Sequence, residues 1–329
     1  MIQHPARHPI PRNPLVTDLR ADDSYLFLMK ELEKMDEKIL EPLTGTDWPR
    51  DMPVITGGGI TESIATVDVT YASTGKDDDN LFFDAANDIP VIQADMSKQV
   101  VRTFNFGEYM AFSYMERMKM LEVGRDPETF LNKGIRLHLD KMLDRNVYVG
   151  FRKASSTGLC NNPAVTRSAA ALNSAGTSTL WRDKTADEIL NDINRALSAV
   201  WEKNDCSSDA LPNQVLIPVE QYGQLVGRKV SHDSERSILT YLLENNIVTR
   251  QGKTLHILPC KWCKSAGSDY SDRMVVYMNQ EDRICFNLTL PLQRCETESI
   301  HMSIRIPYIA QFSEVRFLYP TTVRYMDGI

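Results

Sequence analysis

Cys260-Lys261-Trp262-Cys263 is the stretch best equipped for chemistry, with His256 four residues before it. Two thiols separated by two residues can hold a zinc ion or cycle between dithiol and disulfide. Tetrahedral zinc asks for two further ligands, usually a second C-x-x-C or an H-x-x-H, and the sequence has neither. A redox pair places its first cysteine at a helix N-terminus, whereas Lys-Ser-Ala-Gly-Ser-Asp follows here. The expectation is therefore a pair of loop thiols after a strand, with no metal and no cofactor. A Cys-dependent or metal-assisted enzyme centred on Cys260 and Cys263 is the alternative.

Other chemical signatures fall short. Residues 55–61, Ile-Thr-Gly-Gly-Gly-Ile-Thr, lack the G-x-G-x-x-G spacing and a following helix. Gly75-Lys76 has Thr70 where a phosphate-binding loop needs its first glycine, and Asp77 where it needs Ser or Thr. His232, Asp233 and Ser234 are adjacent, but triad members come from separate elements. His138 reads as a partly buried packing residue of a helix. No catalytic residue is assigned.

The composition bounds the rest. The chain has 329 residues, 42% hydrophobic and 25% charged, enough for a sizeable core. No run approaches the roughly 18 apolar residues of a membrane span, and the first residues have no apolar signal region. A soluble protein, cytoplasmic at synthesis, is expected. The net charge of −7 disfavours a nucleic-acid-gripping face, so any DNA contact should be weak and non-specific. Six cysteines are too few for a disulfide scaffold.

Pro5, Pro9, Pro11 and Pro14 make the first 20 residues an extended arm, with Arg7, Arg12 and Arg20 along it. A helical pattern starts at Ser24, and 44–53 read as loop. Residues 60–73 alternate like a strand: Ile64, Thr66, Asp68 and Thr70 on one side, Ala65, Val67, Val69 and Tyr71 on the other. An acidic tip with Lys76, Asp77 and Asp78 follows, then returning strands over 89–114 carrying Lys98 and Arg102. Both faces of this hairpin look rather polar, so it would need something to lie on. Asp126-Pro127 opens a long amphipathic helix running to about residue 148. Thr185 and Glu188 form a capping box for a second one. Short strands at 214–219, 254–259, 273–278 and 283–291 and a strand-rich C-terminus complete an α+β order.

The helix Phe-Leu-Asn-Lys-Gly…Asn-Val-Tyr-Val-Gly (130–150) and its Gly158-Leu159-Cys160-Asn161 turn resemble the spine helix and following turn of tailed-bacteriophage major capsid proteins. The resemblance implies the Hong Kong 97-type fold. It implies an N-terminal arm and helix at 1–50 and an extended hairpin, the E-loop, at 51–105. It implies a peripheral domain at 106–163 and 296–329, with its spine at about 127–148, and an axial domain at 164–295. Gly150, Gly158 and Pro163 would be the hinge between spine and axial domain. Arg7, Arg12, Arg20, Val67, Val69, Tyr71, Lys76, Asp77, Asp78, Lys98 and Arg102 would make contacts between subunits.

The implied function is a self-assembling icosahedral head shell, built in the host cytoplasm and residing in the virion. Its partners would be itself, as hexamers and pentamers, with separate scaffolding, portal and decoration proteins as candidates. About 50 residues before the hairpin are too few for a fused scaffolding segment. Lys76 and Lys98 have no matching Asn or activating Glu, so no isopeptide cross-link is expected. An encapsulin-like nanocompartment shell is the alternative within the fold.

Overall fold

The computed structural model describes residues 45–74, 91–122, 127–231 and 235–329. The arm, the helix expected from Ser24, the hairpin tip, Asp126 and His232–Ser234 lie outside the described residues. In chain order the described elements begin with a helical turn α1 (Trp48–Asp51), β1 (Val54–Thr56), β2 (Ser63–Ser73) and β3 (Ile92–Ser113). Helices α2 (Tyr114–Glu122) and α3 (Pro127–Val149) follow, then β4 (Thr166–Ala169) and α4 (Ala186–Lys203). Next come β5 (Gln214–Ile217), α5 (Val219–Gly227), α6 (Ile238–Asn245), α7 (Ile247–Arg250) and β6 (His256–Pro259). The chain closes with β7 (Arg273–Tyr277), β8 (Ile284–Leu288), β9 (Leu290–Arg294), β10 (Glu298–Ile300), β11 (Ser303–Ser313), β12 (Val315–Phe317) and β13 (Val323–Asp327).

β3 is one 22-residue strand with two successive partners. Its first half pairs antiparallel with β2, from Ile92 opposite Ser73 to Arg102 opposite Ser63. Its second half pairs with β11, from Thr103 opposite Ser313 to Ser113 opposite Ser303. Burial changes where the partner changes. Residues 92–100 are exposed, whereas Phe106, Met110 and Phe112 are buried at the strand period of two. The hairpin thus extends from a sheet whose other half is core.

Helix α3 spans about 34 Å at 1.5 Å per residue. Ile135, Leu139, Leu143 and Val147, each four residues apart, form its buried stripe. Beside it lies the mixed sheet, in strand order β4-β13-β7-β5-β6. Both faces of this sheet are covered: Val275, Tyr277 and Tyr325 share a core with α3, while Met274, Val276 and Met326 share one with α4. That is why Met274–Tyr277 reads as a continuous apolar run instead of an alternating one. The capping box that opens α4 forms as its sequence indicates, Thr185 accepting from Glu188 N and Glu188 from Thr185 N.

The closing residues divide between sheets. β11 lies beside the hairpin strand, and β12 pairs with β8, which also pairs with β1. β13, by contrast, joins β4 and β7 in the mixed sheet. β9 pairs with β11, away from the mixed sheet.

Residues 47–53, within the 44–53 read from sequence as loop, are a buried plug. Trp48, Asp51 and Met52 are all buried. The Asp51 carboxylate accepts from Arg50 at 2.7 Å, Tyr148 Oη at 2.5 Å and Gln214 Nε2 at 3.1 Å. Its backbone carbonyl accepts from Tyr277 Oη at 2.6 Å. One short turn therefore holds together the spine helix and the mixed sheet.

Candidate functional site: an exposed hairpin face and a buried elbow

The β2–β3 register decides what the hairpin can do. Ala65, Val67, Val69 and Tyr71 stand opposite Val100, Lys98, Met96 and Ala94, and Ser73 opposite Ile92. Cross-strand partners share a face, so this face is apolar except for Lys98 and Ser73. The expectation of two rather polar faces fails here, because the return strand places its own apolar residues opposite those of β2. The other face carries Thr66, Asp68 and Thr70 opposite Gln99, Ser97 and Asp95. Near its base it is tied to the body through Thr66, which accepts from Arg316.

Within one chain the apolar face is bare. Val67 is 59% exposed, Tyr71 74%, Met96 70% and Val100 55%. With Val69 and Ile92 it offers six large apolar side chains to solvent. Fully burying each would contribute about 1.5–3 kcal/mol; counting roughly half as still available gives about 5–9 kcal/mol per subunit before association costs. Lys98 lies on this face and Arg102 at its foot, both exposed. Arg102 is close enough to Glu314 for its charge to oppose the rise that burial gives that carboxyl. Arg7, Arg12, Arg20, Lys76, Asp77 and Asp78 lie outside the described residues.

A second bare surface was not foreseen. Residues 114–122, partly assigned to strand, form helix α2, and none of its side chains is buried. Tyr114, Met115, Met118, Met120 and Leu121 are all exposed. The sequence signal was Ser113-x-x-Glu116, a capping box: Glu116 accepts from Ser113 N at 2.8 Å, and Ser113 Oγ from Glu116 N at 3.1 Å. His138 is also more open than expected, its side chain 62% exposed and bonded to Glu108 at 2.9 Å.

The end of the spine helix is an elbow of close contacts. Gly150, at φ +87°, stops the helix in the left-handed region, where a Cβ would meet Ser156 O at 2.2 Å. The chain then doubles back and covers the helix's last carbonyls. Leu159 N donates to Val147 O at 2.8 Å, Cys160 N to Tyr148 O at 2.9 Å, and Asn161 Nδ2 to Val149 O at 2.7 Å. These are the acceptors a helix C-terminus leaves without partners. Gly158 permits the approach, since a Cβ there would lie 2.4 Å from the Tyr148 carbonyl carbon. Tyr325 Oη donates to Leu159 O at 2.7 Å, and Arg273 donates to Cys160 O at 2.6 Å. Pro163 is exposed just beyond.

The Cys-x-x-Cys pair meets a third thiol here. Cys160, Cys260 and Cys263 are all buried with their sulfurs within 4.8 Å of one another, Cys160 and Cys263 at 3.8 Å. The expectation that no further ligand exists fails in space, because Cys160 arrives from the elbow about a hundred residues earlier in the chain. Cys260 is pushed down to about 4, chiefly by the hydrogen bond from Cys160 and then that from Cys263. His256 is exposed and stands outside the cluster. Close by, burial raises both the Asp51 carboxyl, against the Arg50 hydrogen bond, and the Tyr148 hydroxyl, which the Asp51 charge raises further.

A long helix beside a mixed sheet, an extended hairpin and a short plug define a viral shell fold. Among solved structures, the capsid of Myoviridae phage XM1 superposes with a TM-score of 0.74 at 14% identity, over 91% of this chain and 98% of that one. Microbacterium phage Oxtober96 gives 0.60 at 12% identity, over 93% and 99%. The capsid of a native GTA particle gives 0.60 at 11%, over 90% and 94%. The fold is the Hong Kong 97 type. Curated protein sequences include no match. The family model for major capsid proteins matches residues 78–329, and the chain belongs to that family. It is a shell protein of a viral capsid and a component of the virion, and the match favours this over a nanocompartment shell or a cysteine enzyme.

Proposed function

We propose that the chain closes an icosahedral head as hexamers and pentamers of itself, with the apolar face of the hairpin laid on a neighbouring subunit. The observation that carries this reading is the row Val67, Val69, Tyr71, Met96, Val100 and Ile92, bare in one chain although its residue types favour burial. Its gross value of several kcal/mol is modest for one contact, and repetition around a closed shell multiplies it. Helix α2, too short to be stable without packing, supplies a second contact to a neighbour.

The remaining parts take roles that follow from their packing. The segment with Gly150, Gly158 and Pro163 acts as a rigid elbow, its glycines selected for close approach more than for freedom. The peripheral part contains α3 and the β3–β11 sheet, and the axial part contains α4 with the mixed sheet, into which β13 returns. Arg7, Arg12, Arg20, Lys76, Asp77, Asp78, Lys98 and Arg102 add charged contacts between subunits. Separate scaffolding, portal and decoration proteins are candidate partners, assembly takes place in the host cytoplasm, and the acidic chain meets packaged DNA only weakly.

The test is the double variant Val69→Asp with Met96→Asp, which puts two carboxylates opposite each other on the bare face. Circular dichroism and melting of the free subunit should be unchanged, while sedimentation should show loss of closed particles. Normal particles from a variant of proven composition would contradict the assigned face.

A further inference from the structure

The three-thiol cluster beneath the elbow takes no part in the contacts proposed between subunits, and its geometry stands apart from the shell reading. A zinc ion about 2.3 Å from each sulfur sets tetrahedral ligands about 3.8 Å apart and trigonal ones about 4.0 Å apart. Cys160 and Cys263 already stand at 3.8 Å, with Cys260 inside the same 4.8 Å group. Among the described residues this is the one group of His, Cys, Asp or Glu that close together.

The sulfurs are also held from outside the cluster. Cys160 is fixed by its N–H on Tyr148 O and by Arg273 on its carbonyl. Cys260 N donates to Ile217 O at 2.7 Å, at the end of β5, and the turn Lys261–Cys263 brings Cys263 back beneath it. Arg273, buried, places positive charge beside a site that thiolates would make negative. A cleft of about 360 Å³, lined by Asn161, Lys261 and Trp262 among others, reaches Cys160 of the three.

We propose that Cys160, Cys260 and Cys263 bind a thiophilic d10 cation, zinc, and that the ion fastens the elbow of the spine helix to the loop after β6. Water takes the fourth coordination position. Any thiol proton still held is released to solvent as its sulfur bonds the metal, and no electron is transferred. Soft thiolates select such a cation over magnesium or calcium, which take oxygen ligands.

The experiment uses the full-length chain purified without chelator, then equilibrated with zinc and dialysed. Elemental analysis should find one zinc ion per chain, and cobalt exchanged into the site should give thiolate-to-cobalt charge-transfer absorption. Cys160→Ser should lose both, while Cys206→Ser, at an exposed cysteine outside the cluster, should keep both. Stripping the metal should lower the melting temperature of the wild type, and zinc should restore it. Three results would overturn the proposal: a zinc-equilibrated wild type that holds no zinc, a folded Cys160→Ser that binds as well as wild type, or a Cys160–Cys263 disulfide in a non-reducing digest. If Cys160→Ser does not fold, the wild-type zinc content and cobalt spectrum decide.

Discussion

A Cβ on Gly158 would lie 2.4 Å from the carbonyl carbon of Tyr148, well inside van der Waals contact. The returning chain can cover the carbonyls of Val147, Tyr148 and Val149 only because nothing projects there. Gly158→Ala must either push the elbow off the helix or distort the helix's last turn. We expect a loss on the order of 3 kcal/mol or more, the large end for single substitutions, read as a lower urea midpoint or an insoluble chain. Wild-type stability in this variant would mean that the elbow yields easily.

Arg273 joins that elbow to the last strand. It donates to both oxygens of Asp327, at 2.6 and 2.8 Å, and its guanidinium lies 4.5 Å from the Tyr325 ring centre. Burial pushes the Asp327 carboxyl up, but the Arg273 hydrogen bonds and charge, with the Ser268 N–H, hold it below its ordinary value. Arg273→Met leaves a buried carboxylate unpaired and should cost about 3–5 kcal/mol in urea unfolding. A loss below about 1 kcal/mol, the value of an exposed pair, would show that the pair is solvated.

Glu188 provides a pH signature for the mixed-sheet half. The Thr185 backbone N–H, then the Ser174 hydrogen bonds, hold its carboxyl down to about 2 against an ordinary 4.5. Because the folded value lies below the unfolded one, the associated stability is present above about 4.5 and lost as pH falls towards about 2. Glu188→Ala should therefore melt below wild type at neutral pH, and the gap should narrow across that window. A gap independent of pH would assign the effect to helix propensity alone.

How far the sequence could be read depended on the range of the interactions. The alternation at 64–71 and the Thr185–Glu188 box are local patterns that form as read, and Ile135, Leu139 and Leu143 give α3 its apolar stripe, whereas Phe130 at its start is 51% exposed. The apolar character of the hairpin face was hidden because it depends on Val69 meeting Met96, a register set by pairing. Helix α2 was missed because it follows the strand without a break in the apolar pattern, although Tyr114, Met115, Met118 and Leu121 lie on one side of it. Pro49 and Pro53 made 44–53 look like loop, although contacts from Tyr148, Gln214 and Tyr277 bury Asp51. Cys160 could not be joined to Cys263 because 103 residues separate them.

The most direct test of the shell reading is a cryo-electron microscopy reconstruction of particles assembled from the full-length chain. It should resolve closed icosahedral shells in which a neighbouring subunit covers Val67, Val69, Tyr71 and Met96 within van der Waals contact. A chain that forms no closed particle, or a shell in which that face remains in solvent, would contradict it.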